Sequence, residues 1–190
     1  MSASYFQSQS FQSQDYSSTA LAKGEYEQCD FITCNFKDSD ISGCVFVDCS
    51  FNACDLSMAK VHRVSFRDTK FMNCKMLGLR FDGCNTMLLA FSFERCVLNF
   101  SSFFGLKLKG INFTECQLNE VEFQEADLTK AVFRECDLTD AFFENTILEH
   151  ADFTTSHSYT IDPKKNRIKK GKFSTAGLPG LLTEYDLIII

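Results

Sequence analysis

Large apolar side chains recur along this chain at every fifth residue. From Phe6 the beat runs through Phe11, Tyr16, Leu21, Tyr26, Phe31, Phe36, Ile41, Phe46, Phe51, Leu56, Val61, Phe66, Phe71, Met76 and Phe81. It slips by two residues across CNTMLLAF (84–91), resumes at Leu88, Phe93, Leu98 and Phe103, and holds to Phe153. After a break in SHSYTIDPKKN, Ile168 and Phe173 fall on the second register. A period of five matches neither a helix, at 3.6, nor a strand, at 2. The residue two before each large one is a second beat, and it is small: Cys, Ala, Ser, Thr or Val, with Leu79 and Leu106 as larger exceptions. One large and one small inward position in every five describe a short segment and a corner. Four such units predict a square coil of 20 residues, repeated along a solenoid.

The cysteines test that geometry. Cys29, Cys34, Cys44, Cys49, Cys54, Cys74, Cys84, Cys96, Cys116 and Cys136 all occupy the small inward position, Cys84 on the first register. Coils of 20 residues stack them about 4.8 Å apart, the spacing of hydrogen-bonded strands. A free thiol packs as a small buried hydrophobe, so the cysteines read as core. A zinc site needs thiolates converging on one point, and a beat of five around a square disperses them. Parallel side chains and a reducing compartment argue against disulfides.

Composition agrees. Hydrophobic residues make up 45% of 190, with 21 Phe, no Trp and two Pro, which points to one folded domain with a core of stacked rings. MSASYFQSQSFQSQ has neither the basic start nor the apolar run of a signal peptide, and nothing approaches the ~18 apolar residues of a membrane helix. The expectation is a cytoplasmic protein with reduced thiols and no membrane contact.

Charge is unevenly spread. Residues 1–114 balance, 115–152 carry a net −9, and 153–190 carry +3 with the bases at Lys164, Lys165, Arg167, Lys169, Lys170 and Lys172. The acidic part is a poor nucleic-acid binder and suits a basic partner surface. Chemistry is not signalled. His62, His150 and His157 fall at outward or loop positions, and no phosphate loop, HExxH or G-x-S-x-G occurs. A ring-filled interior leaves no pocket, so we expect no enzyme, no cofactor and no metal.

ADLTKAVFRECDLTDAFFENTILEHADF, Ala126 to Phe153, resembles the A-(D/N)-L-x-x pattern of pentapeptide-repeat proteins. The resemblance implies an all-β solenoid, a right-handed quadrilateral β-helix with a short helical and strand C-terminal cap. The β-helix is expected over 4–175, with the register slip near 82–91 and a loop near 154–167. The cap is expected over 176–190, as a helix around Leu178–Glu184 and a strand over Asp186–Ile190. The tail, with its Asp-Pro-x-x-Asn-Arg-Ile stretch, is similar to the cap and dimer element of the quinolone-resistance and microcin-immunity branch. That likeness implies a non-catalytic DNA mimic that binds bacterial DNA gyrase or topoisomerase IV and protects it from quinolones or a peptide poison. The long projecting loops of some members of that branch are absent here. The alternative is a scaffold or interaction module with an unrelated protein partner.

The candidate contact residues follow from position. Glu115 with Glu135, and Glu120 with Asp140, are 20 apart at outward positions and predict two acidic columns, with Glu122, Glu125, Glu144 and Glu149 nearby. Phe100 and Phe104 are outward aromatics, as is Phe142. Asp127, Asp137 and Asp152 precede central residues, where Asp hydrogen-bonds turn backbone. Leu187, Ile188, Ile189 and Ile190 form a candidate strand to pair a homodimer across an otherwise open end.

Overall fold

The five-residue beat closes into a square because each large side chain points inward from a short extended segment and the residue two beyond it turns the corner. In the computed structural model, which describes residues 4–188, Thr33, Ala53, Asn73, Arg95, Glu115 and Glu135 stack on one corner with φ between 51° and 54°. The left-handed region costs a non-glycine residue about 1–2 kcal/mol. The coil offsets that cost with ladder bonds. The N–H groups of Thr33, Ala53, Asn73, Arg95 and Glu115 donate to carbonyls of the following coil at 2.8–3.0 Å.

The strands are short: β1 Ser4–Gln7, β2 Ser10–Gln12, β3 Gly24–Glu27, β4 Asp30–Ile32, β5 Val45–Val47, β6 Ser50–Asn52, β7 Ser65–Arg67, β8 Thr69–Met72, β9 Phe91–Glu94, β10 Asn112–Thr114, β11 Val132–Arg134, β12 Asp152–Phe153 and β13 Lys172–Phe173. Face 1 is a parallel sheet in the order β2-β4-β6-β8-β9-β10-β11-β12-β13. Its nine rungs bound eight turns, roughly 38 Å at about 4.8 Å each. Face 2 is a row of bridges from Asp15 through Asn35, Asp55, Lys75, Val97, Gln117 and Asp137 to His157. Face 3 carries the bridges Asp40–Lys60 and Arg80–Ser102–Glu122–Phe142. Face 4 begins as the sheet β1-β3-β5-β7 and continues as Lys107–Asp127–Ile147–Arg167. Parallel neighbours need crossovers, and each coil supplies one, in the right-handed sense such connections favour.

Inside, the rings stack. Phe11, Phe31, Phe51, Phe71, Phe93, Phe113, Phe133, Phe153 and Phe173 form one column with successive centroids 4.6–5.4 Å apart. Rings of opposite faces meet edge-on across the interior, as Phe113 does with Phe103 and Phe123, the geometry a ring quadrupole prefers. All ten cysteines are buried and free. Eight of the thiols donate to carbonyls of the preceding coil, for example Cys54 to Phe31 at 3.3 Å and Cys96 to Phe71 at 3.4 Å. The small beat is therefore a packing requirement that also satisfies a weak donor.

Three local expectations change. The second register does not begin inward at Leu88, which is left-handed and 70% exposed; Leu89 packs against the core instead. Asn85 still keeps regular pairing, its N–H donating to Val64 O at 2.8 Å, and Ala90 N–H reaches Phe66 O at 3.0 Å. The two extra residues bulge between them, and Phe91 fills the widened coil at a position otherwise held by small residues such as Cys49 and Thr69. The stretch 154–167 is a coil, not a loop. Ser156, Ile161 and Asn166 hold the inward places above Cys136, Ala141 and Thr146, and Asn166 accepts from Thr146 N–H at 2.9 Å.

The cap is helical as expected, formed by two 3₁₀ helices, Thr175–Leu181 and Thr183–Tyr185. Pro179 and two glycines disfavour a longer one. Ser174 caps the first by accepting from Gly177 N–H, and Gly180 O accepts from Ile161 N–H at 2.9 Å. Asp186 turns left-handed, and Leu187 and Ile188 are exposed and outside any strand. Ile189 and Ile190 lie outside the described residues.

Candidate partner-binding surface

Each coil offers solvent two side chains per face, flanking the inward ring, and one at each corner. The candidate acids divide between these places. Glu115, Glu120, Glu125, Glu135 and Asp140 are corner residues with φ of 52–59°. Glu115 lies over Glu135 on the corner between faces 1 and 2, and Glu120 over Asp140 between faces 2 and 3, each pair one coil apart. Glu125 turns from face 3 to face 4. Glu122 and Glu144 stand on face 3, and Glu149 on face 4. The eight therefore wrap the rod instead of forming one patch.

Their partners divide them again. Among the described residues the five corner acids make no ion pair. Glu122 accepts from the Ser102 hydroxyl at 2.7 Å. Glu144 accepts from Gln124 at 3.0 Å and has Lys165 at 3.7 Å, and Glu149 pairs with Arg167 at 2.7 Å. Lys172 reaches Asp152 at 3.1 Å. The basic tail thus folds onto the last acidic coil, one turn away, and neutralises part of it. The sequence reading misses this because it takes 154–167 for a loop, which removes the register that sets these bases one coil above the acids.

Asp127, Asp137 and Asp152 do close turns, accepting from the N–H and hydroxyl of Thr129, Thr139 and Thr154. The Thr154 hydroxyl, opposed by partial burial and helped by the Thr154 N–H and Lys172, holds the Asp152 carboxyl below the usual carboxylate range. These aspartates are structural.

Phe100, Phe104 and Phe142 are 57%, 39% and 51% exposed. Phe100 sits at the corner between faces 2 and 3, and the other two stand on face 3 itself, with Glu122 between their coils. Phe142 borders a shallow groove between coils that Asp140, Glu144, Thr160 and Lys165 also line. Finer counting of charge also divides the balanced part of the chain: residues 1–59 carry a net −6 and residues 60–109 a net +6. The rod is banded −6, +6, −9, +3 from one end to the other.

The family profile described as a pentapeptide repeat region matches residues 71–153, and the profile described as pentapeptide repeats (8 copies) matches 29–68 and 49–85. The chain belongs to the pentapeptide-repeat family. No curated protein sequence matches it. Among solved structures, a trypsin-treated form of QnrB1, described as a plasmid-mediated fluoroquinolone resistance protein, superposes with a TM-score of 0.70 at 19% identity over 98% of this chain and 92% of that one. A second trypsin-treated form gives 0.61 at 17% identity over 98% and 100%. At these identities the likeness is one of fold.

The pentapeptide-repeat coil brings one cluster together that the sequence reading passed over. His157 Nδ1 lies 3.1 Å from Ser158 Oγ and 3.6 Å from Asp137 Oδ1. A relay needs the hydroxyl on one ring nitrogen and the carboxylate on the other. Here both face Nδ1, so the arrangement does not activate Ser158. No group of three or more metal-ligating side chains converges among the described residues, and no helix is long and apolar enough to cross a membrane.

Proposed function

We propose that this pentapeptide-repeat protein acts without catalysis, as a DNA-mimicking ligand of a bacterial type II topoisomerase, DNA gyrase or topoisomerase IV, in the cytoplasm. It would shield the enzyme from quinolones or a peptide poison. The observation that carries this reading is the set of five corner carboxylates, Glu115, Glu120, Glu125, Glu135 and Asp140, which make no ion pair among the described residues, with Glu115 over Glu135 and Glu120 over Asp140 at the coil rise on a narrow rod. Duplex DNA presents one charge per about 1.7 Å of axis, so the columns imitate its field coarsely and suit a basic DNA-binding groove. The fold shared with a fluoroquinolone resistance protein supports the choice of partner. The direct test is gyrase supercoiling and cleavage with this protein titrated in, with and without ciprofloxacin. Rescue of supercoiling in the presence of drug supports protection, and no effect on either activity defeats it.

The +6 band at residues 60–109 favours a second reading. A duplex mimic would be acidic along its length, whereas a banded rod suits an interaction module that docks on a partner of alternating charge. A charge-reversed Glu115, Glu120, Glu135 and Asp140 variant separates the two. Undiminished binding to gyrase would leave the module reading.

A further inference from the structure

The charge bands have a symmetry of their own. Reversed end for end, −6, +6, −9, +3 becomes +3, −9, +6, −6, so two rods lying antiparallel place every band against one of opposite sign. The two-fold axis that does this crosses the rod where the +6 band meets the −9 band. On face 3 that is the coil of Phe100, Ser102 and Phe104, where exposed rings are concentrated.

Face 3 suits such a contact in detail. Along one edge the outward residues run Asp40, Lys60, Arg80, Ser102, Glu122, Phe142. An axis through Ser102 sets Arg80, which also pairs with Asp82 of its own chain at 2.8 Å, against Glu122 of the second copy, and Lys60 against Phe142. Along the other edge, the same axis sets Phe104 against Phe104, and His62 against Glu144. Corners bordering the central coils are glycine at Gly78, Gly83 and Gly105; a Cβ at Gly105 would meet nothing within 4 Å, whereas at Gly78 it would lie 2.6 Å from Met58 Sδ. The short corner at Gly105 leaves the neighbouring Phe104 ring open to a flat partner.

We propose that face 3 is the interface of a side-by-side, antiparallel homodimer centred on Phe104. It is isologous and closes on itself, so it does not propagate into fibres. Apolar rings sit at its centre with the Arg80 and Glu122 charges directly beside them, and further out Lys60 meets the Phe142 ring. A face one short segment wide is a small interface, so this dimer belongs with the weak, salt-sensitive class. The inference is independent of topoisomerase binding and differs from a pairing through residues 186–190.

Sedimentation equilibrium of the full chain at low salt, over micromolar to about 1 mM protein, is the test. The expected result is a mass rising toward the dimer and falling back when salt is added. Arg80→Glu and Glu122→Arg should each weaken association at least about tenfold, by setting like charges together. The double variant should restore it, because the antiparallel register pairs the two positions across the axis. Under mild oxidation Phe104→Cys should cross-link to itself, whereas Lys60→Cys chains should cross-link to Phe142→Cys chains and not to one another. A monomeric mass at every concentration overturns the proposal. So does a dimer that withstands both single reversals and is lost on removing residues 186–190.

Discussion

Cys74 and Cys96 are successive thiols of one buried column, yet 22 residues separate them where 20 separate Cys54 from Cys74 and Cys96 from Cys116. The ladder is intact on both sides: Cys74 donates to Phe51 O and Cys96 to Phe71 O, each at 3.4 Å. The coil between them absorbs two residues by ejecting Met87 and Leu88 and admitting Phe91, whose ring touches Phe66, Phe81, Phe93 and Phe103. Phe91→Ala should therefore destabilise by about 3–5 kcal/mol. Met87→Ser, at the exposed tip, should stay within about 0.5 kcal/mol. Urea unfolding measures both, and equal effects would mean that Phe91 does not plug the slip.

Stability should form a plateau with two edges. Burial, chiefly, pushes the Cys49 thiol up to about 11 and the Cys84 thiol up to about 12. Above about pH 9 the unfolded chain ionises these thiols while the folded one does not. The unfolded state then binds fewer protons, and stability falls from about pH 9 to 12. At the acid edge the Ser42 hydroxyl, the Ser42 N–H and Lys23 hold Asp40 down at about 2. Its contribution is present above the ordinary carboxylate range and is lost as pH falls from about 4 to 2. Urea midpoints against pH check both edges, and alkylation at pH 8 should modify the thiols only as the protein unfolds.

Corner strain is measurable at Phe100, a bulky residue with φ of 64° and an exposed ring. Asn enters the left-handed region more readily. Phe100→Asn should raise the unfolding free energy of the monomer by about 0.5–1 kcal/mol. A lower thermal midpoint at dilute protein would show that the ring contributes more to the monomer than its corner costs.

Tyr159 is clamped by the tail. A Cβ added at Gly180 would lie 2.1 Å from Tyr159 O, a clash with backbone that no rotamer relieves. Gly180→Ala should release the 3₁₀ cap and speed tryptic cleavage at Lys170 and Lys172, with a loss of about 1–3 kcal/mol. Unchanged digestion would show that the cap tolerates displacement.

If the topoisomerase reading holds, the carboxylates should not count equally. Charge reversal at Glu120, which has no ion-pair partner among the described residues, should weaken gyrase binding more than reversal at Glu149, which Arg167 already offsets at 2.7 Å. Binding titrations at two salt concentrations give the comparison. Equal losses would point to the overall field instead of particular columns.

Much was legible beforehand because a coil needs the same two inward residues at every turn. Phe113, Cys116 and Leu118 state their burial by spacing alone, and so do the outward places of Glu115, Glu120 and Phe104. The errors fall where spacing stops carrying information. Leu88 and Leu89 are both apolar, and only the bulge decides which one turns in. At 154–167 the large beat lapses at Ser158 and Pro163, while the small beat at Ser156, Ile161 and Asn166 keeps the coil going.

The sequence by itself determined the solenoid, its period, its ring-and-thiol core and the corners at which its acids stand, because each is set by contacts that repeat every 5 or 20 residues. Only the tertiary structure decided which charges are neutralised, how the extra residues are absorbed, and that the tail closes as 3₁₀ turns over Tyr159. Those outcomes depend on side chains from different coils meeting once, and a contact made once leaves no period to read.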